Sequence, residues 1–86
     1  MWKVYIVKCS DDSLYTGITT DLDRRISEHN SSGLGAKYTK MRQPVTLVYS
    51  ASFENRSQAT KEEIRIKSLV KKQKLDLIKS KSLDKK

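Results

Sequence analysis

The chain has 86 residues, 36% of them hydrophobic, and carries 18 Lys+Arg against 10 Asp+Glu, a net charge of +8. That length allows one small domain with a thin core and excludes a second one. The single cysteine, Cys9, excludes an internal disulfide and any multi-cysteine metal site, and it suits a reducing compartment, so no disulfide partner is expected.

The first expected element is a strand, "WKVYIVKC", rich in β-branched and aromatic residues. It contains no apolar run long enough for a signal peptide or a membrane span, so a cytoplasmic protein with no membrane partner is the expectation. "SDDS" is a turn cluster, and "LYTGI" reads as a second short strand that closes an antiparallel hairpin. Whether Tyr5 and Tyr15 then share a face depends on the loop, because a one-residue slip inverts a strand. Gly17 removes a side chain on the Tyr15 face, which often marks the close approach of a ligand or another backbone. Thr20 or Asp21 can cap a helix through "DLDRRISEHN". "SSGLGAKYTKMRQ" is expected as a basic loop. After Pro44, "VTLVYSASF" alternates at Val45, Leu47, Tyr49, Ala51 and Phe53, the pattern of a strand with one buried face. Asn55 or Ser57 caps a second helix expected through about Val70, and "KKQKLDLIKS" reads as a third. The expectation is an α+β fold of order β-β-α-β-α-α, a three-stranded antiparallel-type sheet with packed helices. The domain should span residues 1–78, with 79–86 a frayed basic tail.

Charge and helical spacing select the candidate residues. From Lys61 to Lys86 there are ten Lys+Arg and four acids, so +6 of the +8 lies there. Such a balance suits a polyanion, nucleic acid first of all, although a lysine-rich solvated helix would give the same count. In the second helix Ala59, Glu63, Ile66 and Val70 share one stripe. Glu63 is therefore a carboxylate on the face that meets the sheet, with Glu62 directed to solvent. A buried carboxylate without a partner costs several kcal/mol, so Glu63 needs a cation, a metal or an open cleft, and a salt bridge to Lys67 is the simplest answer. In the first helix Leu22, Ile26 and His29 form the apolar stripe. Arg25 borders it and Arg24 points to water.

These residues resemble a known family. The "KVY" of the first strand and the "YTG" of the hairpin's other strand resemble the paired motifs of the GIY-YIG nuclease superfamily. "DLDRRISEHN", "AKYTKMRQPVTLVY" and "SQATKEEIRIKSL" are similar to its small bacterial members of the UPF0213 type. The resemblance implies catalytic roles for Tyr5, Tyr15, Arg25 and His29, with Gly17 as the motif glycine and Glu63 as the metal-binding glutamate. Three motif positions depart from the pattern: Lys3 stands for glycine, and Val4 and Thr16 for isoleucine. No residue matches the asparagine that some members carry after the glutamate helix.

The implied activity is that of an endonuclease hydrolysing phosphodiester bonds, with DNA the expected substrate and one divalent metal, Mg²⁺ first and Mn²⁺ second. Tyr5 or Tyr15 would be the general base, Tyr5 preferred, with cations favouring the phenolate. His29 would orient a tyrosine or relay a proton. Lys37, Lys40, Arg42 and Lys67 would hold the nucleic-acid backbone. A monomer is expected. A nucleic-acid-binding module that cuts weakly or not at all is the alternative.

Overall fold

The structure of the protein, a computed structural model, describes residues 1–31 and 37–84, with the side chains at 37, 38 and 81–84 outside that description. Its elements are β1 (Trp2–Lys8), β2 (Leu14–Thr19), α1 (Leu22–His29), α2 (Lys37–Lys40), β3 (Thr46–Phe53), α3 (Arg56–Lys67) and α4 (Lys71–Asp84). The expected order is present, with one addition. The segment expected as a basic loop contains a single helical turn, α2. At the far end α4 continues to Asp84, past the expected start of a frayed tail.

The sheet is antiparallel, in the order β2-β1-β3. As the central strand, β1 is buried on both faces, which is why its run Val4 to Val7 is uninterruptedly apolar or aromatic. Val4 and Ile6 face one side, where Ala59 and Ile66 of α3 and Tyr49 of β3 close a core supported by Leu77 and Ile78 of α4. Tyr5, Val7, Cys9 and Val45 face the other, under Leu22 and Ile26 of α1. Both long stripes read from the sequence thus find a face of the sheet, on opposite sides.

Two expectations are corrected. In β3 the alternation is broken by a bulge, because Ile6 pairs with Tyr49 but Val7 pairs with Leu47. The extra residue, Val48, changes the parity of the strand. Tyr49, Ala51 and Phe53 therefore belong to the α3 side, Val45 to the α1 side, and Leu47 is left 38% exposed. In α3 the helix stops at Lys67, so Val70 falls in the joint before α4 and is 63% exposed instead of completing the stripe.

The helix starts follow local chemistry. Asp21 caps α1 by accepting from the Arg24 amide, and Asn55 caps α3 by accepting from the Gln58 amide. Each satisfies a donor that a helix N-terminus leaves orphaned.

Candidate active site

The hairpin register decides the tyrosine question. Tyr5 stands opposite Gly17 and Val7 opposite Tyr15, so Tyr5, Tyr15 and Gly17 all lie on the α1 side. Gly17 is needed there for a specific reason. A Cβ at that position would stand 2.5 Å from the Tyr5 hydroxyl oxygen and 2.8 Å from its Cζ. The close approach anticipated at this glycine is made by the ring of Tyr5 itself.

His29 ends α1 fully buried, and both of its ring nitrogens are engaged. Nε2 lies 2.7 Å from the Tyr5 hydroxyl, and Nδ1 lies 2.8 Å from Oγ1 of Thr39. The Tyr15 ring meets the His29 ring edge-on at 5.3 Å between centroids. Burial, helped by the Arg25 charge and opposed by Glu28, pushes the imidazole below its ordinary value of 6.5 and keeps it neutral at pH 7.

Arg25, a turn before His29, gives Nη1 to Glu28 at 2.9 Å and lies close enough to the Tyr5 hydroxyl to favour its ionised form. Its side chain is about one quarter exposed, so its head reaches both the buried tyrosine and the surface. Arg24 stays in water. Phenolate is not favoured at Tyr5. Burial raises the phenol above its usual value of 10.0, against the lowering effect of the Arg25 guanidinium, because Tyr5 is only 1% exposed. Tyr15 is the more exposed tyrosine of the pair.

Thr39 carries no periodic signal; it lies in the family-like "AKYTKMRQPVTLVY" stretch, but the resemblance assigns it no role. It is 0% exposed and sits in α2, where the following chain is tied down over His29. Gln43 donates to the carbonyls of His29 and Ser31 at 2.8 and 3.0 Å. The Asn30 side chain brackets Val45, accepting from its amide at 2.7 Å and donating to its carbonyl at 3.1 Å.

Glu63 lies on α3, close enough for its charge to act on Tyr5. Its carboxylate pairs with Lys67 at 3.2 Å, the simple partner that spacing suggested. Glu62 is not the solvated neighbour expected: both glutamate side chains are 19% exposed, and Glu62 is held bidentately by Arg65 at 2.7 and 2.6 Å. Among the described residues no three of His, Cys, Asp and Glu converge into a metal cage. One partly exposed carboxylate held by a flexible lysine nevertheless fits Mg²⁺, which keeps several waters and needs one or two carboxylates beside substrate phosphate.

The expected backbone clamps are less uniform. Lys40 is exposed at the end of α2, and the side chain of Lys37 lies outside the described residues. Lys67 is engaged by Glu63. Arg42 is bound at 3.0 Å to Asp11, where it ties α2 to the β1–β2 turn.

A family model described as the GIY-YIG catalytic domain matches residues 1–76. The chain belongs to the GIY-YIG superfamily. Within it, the chain is similar to UPF0213 proteins from Desulfotalea psychrophila (54% identity, covering 92% of this chain and 72% of that one) and Clostridium perfringens (56%, covering 93% and 85%). Two solution NMR structures share this GIY-YIG fold. The UPF0213 protein of Bacillus halodurans is 45% identical with a TM-score of 0.61, covering 94% of this chain and 86% of that one. A protein from E. faecalis is 44% identical with a TM-score of 0.63, covering 94% and 85%. The GIY-YIG chain is thus of the UPF0213 type and has a nuclease-type fold. No helix among its described residues is long and apolar enough to cross a membrane.

Proposed function

We propose that the protein is a metal-dependent endonuclease hydrolysing phosphodiester bonds in nucleic acid, with DNA as substrate. The observation that supports this is the hydrogen-bonded pair of Tyr5 and His29 beside the Arg25 guanidinium, with the Glu63 charge within range. Neither core packing nor simple binding requires a buried phenol and imidazole to meet a partly exposed guanidinium within range of a carboxylate.

Hydrolysis needs an activated water, a neutralised phosphate and a stabilised leaving oxygen. Arg25 offers a planar, permanently charged fork whose exposed edge can take the scissile phosphate in exchange for Glu28. The hydroxyl of Tyr5 is enclosed between Arg25 and His29, so Tyr5 positions those two groups. Tyr15, more exposed and packed on His29, is the tyrosine that meets the attacking water. Glu63 holds a divalent cation, Mg²⁺ or Mn²⁺, which when bound supplies Lewis-acid stabilisation of the leaving oxygen. Lys67, freed from that carboxylate, joins Lys37, Lys40 and Arg42 on the backbone phosphates.

The Glu63–Lys67 pair favours one competing reading, a nucleic-acid-binding module on the same fold. One experiment separates the two. Wild type and Glu63→Ala are incubated with single-stranded, duplex and branched DNA, in Mg²⁺ or in EDTA. Cleavage confined to wild type with Mg²⁺ is expected. Unchanged cleavage by the alanine variant removes Glu63 from the site, and binding without cleavage by both establishes the module.

A further inference from the structure

We infer that Thr39 is a positioning residue: it holds His29 as the Nδ1–H tautomer, so that Nε2 accepts the Tyr5 proton and the phenol is held beside Arg25. The Arg25 guanidinium beside the phenol can only donate, so it offers the Tyr5 proton no acceptor. Tyr5 is 1% exposed and keeps its own proton, and a buried O–H needs an acceptor. The acceptor in place is His29 Nε2, 2.7 Å away.

A neutral imidazole with a lone pair on Nε2 carries its proton on Nδ1. That proton points to Thr39 Oγ1 at 2.8 Å. The opposite tautomer would turn an N–H toward the phenol and leave the Tyr5 proton without the acceptor in place. Donation therefore runs one way, Tyr5 to His29 and His29 to Thr39, with the Arg25 guanidinium beside the phenol. Bonds aligned like this polarise and strengthen one another. Among the described residues, the other charged or titratable groups acting on or touching the ring are Glu28 on its own helix and Tyr15 on β2.

The relay of hydrogen bonds ends at Thr39, a residue to which the resemblance assigns no role. Its catalytic meaning, the aim of the Arg25 fork at a phosphate, rests on the nuclease reading above; the tautomer does not. His29 is the sole histidine, so long-range ¹H–¹⁵N correlation of its ring is free of overlap. At pH 7.5 a protonated Nδ1 and an unprotonated Nε2 are expected in wild type and in Thr39→Ser. The Thr39→Val variant, isosteric but without the hydroxyl, is expected to lose that pattern, and its cleavage to fall about 10- to 100-fold, as when the outer partner of an oriented histidine is removed. Recovery of both by serine supports the inference. A protonated Nε2 in wild type overturns it, as does a valine variant with the wild-type spectrum. Should the valine variant not fold, the wild-type and serine spectra still decide. Absence of cleavage by wild type with the Nδ1–H spectrum intact refutes the nuclease reading alone.

Discussion

Gly17→Ala tests whether the two strands of the motif are locked by one ring. The added methyl would lie 2.5, 2.8 and 3.1 Å from Oη, Cζ and Cε2 of Tyr5. At such distances a neighbour must move, and the end of the Tyr5 ring is held by His29 at 2.7 Å in a position 1% exposed. Overpacking of this kind costs about 1–3 kcal/mol. If the ring swings aside, the buried Tyr5–His29 bond breaks and adds roughly 1–3 kcal/mol for groups left unsatisfied. Alanine recovers about 0.5–1 kcal/mol of the strand penalty of glycine. With the bond broken the net loss is therefore about 1–5.5 kcal/mol, a fall in melting temperature of roughly 4–44 °C for a domain this small. Thermal and urea unfolding followed by circular dichroism read it directly. Tyr5→Phe removes the nearest atom, so the Gly17→Ala penalty should shrink in that background, a coupling that a double-mutant cycle measures. An alanine variant as stable as wild type, or a cycle without coupling, would refute the reasoning.

The remaining expectations are simpler to read. His29 is held below its unfolded value, so the unfolded chain binds the extra proton more readily. Stability is then fully present above about pH 6.5 and declines as pH falls through the folded value. Urea midpoints should drop in that window, ahead of the carboxylates, and should stay flat there in His29→Gln; a wild-type midpoint that rises on acidification contradicts the sign. Thr16 is 3% exposed and its hydroxyl has no hydrogen-bond partner among the described residues, so Thr16→Val should raise stability by about 1 kcal/mol, and a lower melting temperature would mean that the hydroxyl is bonded. Lys40→Ala and Lys67→Ala should each reduce the slope of log K against log salt by about 1 for DNA binding, and an unchanged slope removes that lysine from the interface.

Spacing within single elements was legible from the chain alone. Of the cap candidates Thr20 or Asp21 and Asn55 or Ser57, Asp21 and Asn55 cap their helices, because an Asx side chain on extended backbone reaches the amide three residues on. The β-branched and aromatic residues of Trp2–Cys9 marked a strand, the Leu22, Ile26, His29 stripe marked a helix face, and helical period alone flagged Glu63 with Lys67 as its partner. Tyr5, Tyr15, Gly17, Arg25 and His29 were legible through the motif resemblance.

The remainder depended on how the elements meet. Val48, one extra residue in a bulge, divided the β3 pattern between two faces, and nothing in its own identity announces that. Val70 lost its place because α3 ended a turn early, and Glu62 lost its water to the packing around α3. Thr39 became a partner of His29 only because Asn30 and Gln43 fold its segment back over the helix end. Above all, the state of Tyr5 reversed. A list of neighbouring cations predicts an easier phenolate, but ionisation depends on how much water surrounds the oxygen. That is set by Gly17 beneath the ring and α1 above it, brought together from separate parts of the chain.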